Sequence, residues 1–303
     1  MKKIRDFRRG NEMSNVEKLK KGLKEFGLAH KAEELLPFAK ESIRMMVNQL
    51  PEEKIQIGSS KMGGCPDVPS DFSWPHTNDN RPLYFLCQLN LIEIKPNDTN
   101  SLLPSEGVLS FFYDAVEQPW GYDPKDHDGF KVFYFSQETS SLNRMEIPAS
   151  LHEHGNIDSA ALQFENEWTL PSWDSPYSMY LQEILSEEEA DSYSDFEYEW
   201  MEIDDSRATH RIDGYPDAIQ GDMYLECQLV TNGLYCGDST GYSDPLRKEL
   251  EAGATDWRLL LQIDSEDDLG FMWGDSGRLY FWIREEDCKN KQFDKAWVVL
   301  QCF

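Results

Sequence analysis

The chain reads as an α+β protein, rich in β structure, with two related sheet-containing halves that an internal duplication would explain and with N-terminal helices in front of them. Three observations predict this. Short aromatic and β-branched runs alternate with Gly, Pro, Asn and Asp clusters through most of the 303 residues, which is the texture of strands joined by turns. Apolar residues at helical spacing precede them. Two motifs also recur in the same order. Pro82-Leu-Tyr-Phe-Leu-Cys-Gln-Leu89 is followed by Gly107-Val-Leu-Ser-Phe-Phe112, and Leu259-Leu-Leu-Gln-Ile263 by Gly277-Arg-Leu-Tyr-Phe-Trp282. Leu-x-Gln-(Leu/Ile) and Gly-x-Leu-x-Phe-(Phe/Trp) thus each appear twice. Leu225-Glu-Cys-Gln-Leu229 is a competing echo of the first motif, with no Gly-x-Leu-x-Phe close behind it.

Taken in order, residues 1–13 form a basic extension outside the fold, with Met13 as a candidate start. The remaining residues, 14–303, form one unit with halves at about 14–170 and 171–303. Ser14 and Glu17 make a capping box, Val16, Leu19, Leu23 and Phe26 follow at helical spacing, and Gly27 is placed to end the helix. A second helical pattern runs from Lys31 to Leu50 and restarts at Pro37. Strands are expected at 54–57, 83–91, 107–113, 130–136 and 161–170. Helix is expected from Ser175 to Trp200, with Ser186 and Glu189 as another capping box. A strand near 222–230, a helix opened by Asp244-Pro245 and closed at Gly253, the 256–283 hairpin and a strand at Trp297–Cys302 complete the chain.

A net charge of −27 repels phosphate backbones and anionic lipid, which argues against a nucleic-acid partner. No apolar run reaches the roughly 20 residues of a membrane span, and the basic N-terminus lacks the apolar core of a signal peptide. The expected compartment is the cytoplasm. The six cysteines show no Cys-x-x-Cys pair, so they read as buried thiols rather than disulfides or zinc ligands. His152 and His154 read as part of a solvated loop.

Catalytic and cofactor motifs fare poorly. Gly274-Asp-Ser-Gly277 resembles the start of the chymotrypsin-type nucleophile segment, but Arg278 breaks the match and no histidine segment accompanies it. Asp126-x-Asp128-Gly129 resembles part of a calcium loop, yet Pro124 and Phe135 stand where its end ligands belong. There is no Gly-x-Gly-x-x-Gly and no phosphate loop. No cofactor and no metal are expected.

Two turns stand out. Gly63-Gly-Cys-Pro-Asp-Val-Pro69 leads to Phe72-Ser-Trp-Pro75, and His210-Arg-Ile-Asp-Gly-Tyr-Pro-Asp-Ala-Ile-Gln-Gly-Asp222 precedes the second strand pair; each contains Gly-x-Pro-Asp. Asp67 and Asp217 can simply tie their turns through backbone amides. The functional alternative has the two turns converge and line a cleft with Trp74, His210, Gln220 and Asp222.

These turns, with Leu83-x-Phe-Leu-x-Gln-Leu89 and Trp273-Gly-Asp-x-Gly-x-x-Tyr-Phe-Trp-Ile283, resemble the YwqG-like family of bacterial proteins, a family of unknown function. The resemblance runs from about residue 17 to the end. It departs at Asp213, where a small residue is expected before Gly214. It implies a β-rich α+β fold and a bacterial cytosolic setting, and no reaction or cofactor. Relatives can lie near toxin–immunity clusters, which is an association and not a physical argument.

Residues 186–205 hold ten Asp or Glu and no Lys or Arg. Such a run is a solvated helix face or a docking surface for a cationic partner. The function expected is therefore a binding protein for a basic protein partner or a small polar ligand. The alternative is a hydrolase that uses carboxylates and His210 in the cleft between the halves.

Overall fold

A computed structural model of the chain describes residues 14–154, 157–200 and 208–303. The extension at 1–13, the side chains of the His152–His154 pair and the end of the acidic run beyond residue 200 lie outside the described residues.

Among the described residues there are twelve strands: β1 (Lys40–Gln49), β2 (Lys61–Met62), β3 (Asp67–Val68), β4 (Tyr84–Asn90), β5 (Val108–Tyr113), β6 (Phe130–Phe135), β7 (Asn143–Arg144), β8 (Ala160–Thr169), β9 (His210–Ile212), β10 (Trp257–Asp264), β11 (Arg278–Arg284) and β12 (Trp297–Gln301). Ten of them make one sheet in the order β12-β11-β10-β9-β1-β8-β2-β4-β5-β6, while β3 and β7 pair separately. Every pairing in the large sheet is antiparallel. The fold is α+β with helices at the N-terminus, as the sequence predicts.

The ten residues of β1 pair with β8 along its whole length, Lys40 to Thr169 through Gln49 to Ala160. Toward either margin lies a three-strand antiparallel run, β4-β5-β6 on one side and β10-β11-β12 on the other. The sheet curls so that these runs face each other. Phe111 meets Phe281, Tyr113 meets Trp273, and Phe130 meets Trp297, with centroid separations of 5.2, 5.7 and 5.3 Å. β4, β5, β11 and β12 are almost wholly buried and mostly apolar, as strands covered on both sides tend to be. The outer margin of β12 is occupied by the 118–122 loop. Leu300 donates its N–H to the Trp120 carbonyl at 3.0 Å, and the Trp297 indole donates to the Gly121 carbonyl at 2.8 Å.

Nine helices are described: α1 (Asn15–Glu25), α2 (Ala32–Leu35), α3 (Leu91–Ile94), α4 (Ser178–Ile184), α5 (Glu187–Trp200), α6 (Tyr224–Val230), α7 (Ser239–Ser243), α8 (Arg247–Leu250) and α9 (Glu285–Lys289). Ser14 and Glu17 form the capping box that starts α1. Leu19 and Leu23 of α1, Leu35 of α2, Leu181 of α4, and Tyr193 and Phe196 of α5 bury one another together with Leu170 at the end of β8. This small second core anchors the N-terminal helices to the sheet. None of the described helices is long and apolar enough to cross a membrane.

Three expectations are corrected. The helical pattern over Lys31–Leu50 with its restart at Pro37 yields only α2 and a 3-10 turn over Leu36–Phe38; the stretch beyond the restart is β1. Residues 54–57 form no strand; a 3-10 turn occupies Glu52–Lys54. The stretch 222–230 is helical, because Asp222 accepts from the N–H groups of Tyr224 and Leu225 and so opens α6. Its Leu-x-Cys-Gln-Leu echo of β4 is a coincidence of apolar spacing.

Candidate functional site

Each Gly-x-Pro-Asp turn is braced by a buried glutamine. Gln88 on β4 accepts from the Asp67 N–H at 2.8 Å and donates to both the Asp67 carboxylate and the Ser59 carbonyl at 2.8 Å. Gln262 on β10 accepts from the Asp217 N–H at 2.9 Å and donates to the Asp217 carboxylate at 3.0 Å and the Thr209 carbonyl at 2.8 Å. A bulge lies just before each glutamine, between Phe85 and Cys87 and between Leu259 and Leu261. It turns the amide toward the neighbouring turn.

The charges follow the same plan. Lys61 on β2 is fully buried, 2.6 Å from Glu52 and 4.0 Å from Asp67, and it donates to the Cys65 carbonyl. Arg211 on β9 is 2.6 Å from Asp217 and 2.9 Å from Glu167, and it donates to the Tyr215 carbonyl. Arg144 adds two bonds to Asp67 at 2.9 and 3.2 Å. Burial pushes the Asp67 carboxyl up, but Arg144, Lys61, the Gly58 N–H and Gln88 outweigh it and hold the group below its ordinary range. A buried carboxylate with this many donors is braced, and removing Arg144 or Lys61 would leave its charge under-compensated.

The six residues singled out in the sequence are distributed as follows. Asp67 and Asp217 are buried in these two networks. Trp74 is buried in the core, its indole donating to the Leu83 carbonyl at 2.8 Å. Gln220 is exposed, and its N–H bonds the Gln301 side chain at 3.0 Å. Asp222 caps α6, and burial raises its carboxyl. His210 is fully buried, its Nδ1 accepting from the Asp264 N–H at 3.1 Å. A nitrogen that accepts from an amide carries no proton, so the neutral ring is protonated on Nε2. That atom lies 3.8 Å from the Glu266 carboxylate, and His210 is the main influence that holds the Glu266 carboxyl below its ordinary range. His210 therefore has no lone pair free to take a proton from a substrate. The β1–β8 pair separates β2 from β9, and each turn is tied to its own three-strand run.

A hollow lies beside the second turn, lined by Ser172, Ser175, Tyr215, Pro216, Asp222 and Tyr224 among others, with space for about one water molecule. Around it stands a cluster that the sequence did not announce. The Lys40 ammonium lies over the Tyr215 ring at 4.3 Å and the Tyr177 ring at 4.9 Å, and donates to the Tyr177 hydroxyl at 3.2 Å. The tyrosine rings meet edge to face at 5.4 Å. No described carboxylate lies within salt-bridge distance of Lys40. Two tyrosine faces return about 0.5–2 kcal/mol each to a cation, against an effective burial penalty of several kcal/mol. Burial first, with the nearby Arg258 charge second, pushes the Lys40 amine down to about 8. Lys40 reaches Tyr215 only because β1 is a strand paired with β8, where Thr169, opposite Lys40, holds the Tyr215 N–H. Among the described residues, no group of three or more His, Cys, Asp or Glu is placed to hold a metal ion.

Fold and turns together define an α+β protein with one curled antiparallel sheet and two glutamine-braced Gly-x-Pro-Asp turns. Residues 60–302 match the family model described as Domain of unknown function (DUF1963), and the chain belongs to that family. No match is found among curated proteins.

Proposed function

We propose that the protein is a binding module that presents the outer face of α5 to a basic protein partner. One observation carries this reading. Glu187, Glu188, Asp191, Asp195 and Tyr198 are all exposed, and their spacing places them along one side of the helix. None of these four carboxylates has a cation within salt-bridge distance among the described residues. The opposite side holds Tyr193 and Phe196 in the second core. Glu189 belongs to neither group: it closes the capping box with Ser186 and bonds His30 at 2.6 Å. The face is thus anchored behind and unpaired in front, an arrangement that steers a cationic partner and loses force with salt.

The family resemblance, the charge of −27 and six free thiols, five of them buried, support a YwqG-like bacterial protein of the cytoplasm. The parallel contacts of Gln88 with Gln262, Lys61 with Arg211 and Asp67 with Asp217 support an origin of the two sheet margins by duplication. Equivalent residues that touch each other, as Phe111 and Phe281 do, are what a two-fold relation between the copies would give.

Binding to poly-lysine, measured across salt, tests the docking reading. Reversing Glu187, Glu188, Asp191 and Asp195 to lysine should slow association at low salt by at least tenfold while the melting temperature holds. Association that ignores both salt and charge reversal would leave α5 as a solvated helix.

A further inference from the structure

Lys40 differs from three other enclosed cations of the molecule. Lys61 has Glu52 and Asp67, Arg211 has Asp217 and Glu167, and Arg258 has Asp213 and Glu285. Lys40 has two aromatic faces and one phenol oxygen. The groups around it come from every neighbouring element: Tyr177 from the turn before α4, Tyr215 and Asp213 from the turn after β9, Arg258 from β10 and Glu285 from α9. Asp213 and Glu285 make their close contacts with Arg258, at 2.7 and 3.2 Å, and act on the lysine only from beyond salt-bridge distance, where burial and the Arg258 charge outweigh them. Such a site favours the uncharged amine, and an uncharged amine carries the lone pair that nucleophilic chemistry needs. Lys40 is only partly enclosed, which leaves it within reach of a small reagent.

We propose that Lys40 is a covalent modification site for small aldehydes, held ready by the Tyr177–Tyr215 ring pair. The Nζ lone pair attacks the carbonyl carbon, and the carbonyl π pair takes up a proton to give the carbinolamine hydroxyl. That hydroxyl then departs as water with the remaining proton of the nitrogen, leaving the C=N bond of an imine. One water is released and nothing is oxidised or reduced. The Tyr177 hydroxyl, whose oxygen accepts from Nζ at 3.2 Å and which keeps its own proton, stands beside the departing hydroxyl as a proton donor, and the Tyr215 ring lies 4.3 Å from the nitrogen. The site is independent of the α5 face and stands or falls without it.

Reductive methylation with formaldehyde and cyanoborohydride is the direct probe, since the hydride traps each imine as it forms and peptide mass spectrometry reports every lysine in the same sample. At neutral pH Lys40 should be methylated on the order of tenfold faster than the exposed Lys54 and Lys248, as its larger neutral fraction outweighs its weaker intrinsic nucleophilicity. Its rate should reach half-maximum near pH 8. In denaturing guanidinium chloride the advantage should vanish. A native rate equal to or below that of Lys54 would overturn the proposal, and so would an advantage that survives denaturation, because the folded cage would then not be its cause.

Discussion

The Phe111 ring lies 5.2 Å from the Phe281 ring at an interplanar angle of 73°, edge to face, and the two residues hold the same place in the two Gly-x-Leu-x-Phe motifs. Each is fully buried, so either alanine substitution alone should cost about 3–5 kcal/mol. In a double-mutant cycle by urea unfolding, the pair should show a coupling of about 0.5–1.5 kcal/mol. Strict additivity would mean that the margins of the sheet are held together elsewhere.

Gln88 and Gln262 each supply three hydrogen bonds, two to the turn aspartate and one to the carbonyl of Ser59 or Thr209. Truncating either to alanine strands an aspartate N–H and a carbonyl, at about 1–3 kcal/mol for each orphan. We expect losses of at least 3 kcal/mol for Gln88→Ala and Gln262→Ala, of similar size to each other, in denaturant titrations. A loss below 1 kcal/mol in either would show that its turn stands without the amide.

The two turns also explain the Asp213 departure. Gly63 has φ +61°, and a Cβ there would lie 2.1 Å from the Asp158 carbonyl oxygen, so only glycine fits. Asp213 has φ +57°, a conformation aspartate tolerates, and its carboxylate engages Arg258 at 2.7 Å and Asn100 at 2.8 Å. Gly63→Ala should therefore lower the melting temperature far more than Asp213→Gly, whose expected loss is about 1–3 kcal/mol. The reverse ranking would contradict this account.

Glu197 on α5 and Glu226 on α6 are both pushed up to about 7, chiefly by burial. A carboxyl whose pKa is raised on folding binds its proton more tightly in the native state. Its contribution is therefore favourable at low pH and is lost as pH rises from the unfolded value near 4.5 through about 7. Glutamine mimics the protonated form. Glu197→Gln with Glu226→Gln should gain on the wild-type protein between pH 5 and pH 8, by on the order of 5 kcal/mol for the pair. A stability gap that does not change between those pH values would rule out the titration.

What the sequence showed and what it hid have physical causes. The strands β4, β5, β10 and β11 were legible because burial on both faces leaves continuous apolar and aromatic runs, punctuated by glycine at the turns. β1 was not, since Arg44, Met45, Met46 and Gln49 favour helix as isolated residues and become a strand only between β8 and β9. The repeated motifs located both Gly-x-Pro-Asp turns, but spacing alone does not show that their aspartates face glutamine amides rather than solvent. The Lys40 cluster draws residues from β1 and from two loops far along the chain, and no local pattern encodes that meeting.

The loop at 118–122 has a bearing on how the protein fails. A sheet margin with free amides and carbonyls is a template on which another chain can add a strand. Here the Trp120 carbonyl holds the Leu300 N–H, and Gly121 fits against the Val298 carbonyl so closely that a Cβ would come within 1.9 Å of its oxygen. The segment beneath it, Trp297-Val-Val-Leu-Gln301, is short, apolar and uncharged, which is the composition of fibril-forming strands. Proteolytic nicking of this loop would leave the folded core largely in place while exposing an adhesive edge, so that damaged molecules would be lost to aggregation before they were lost to unfolding.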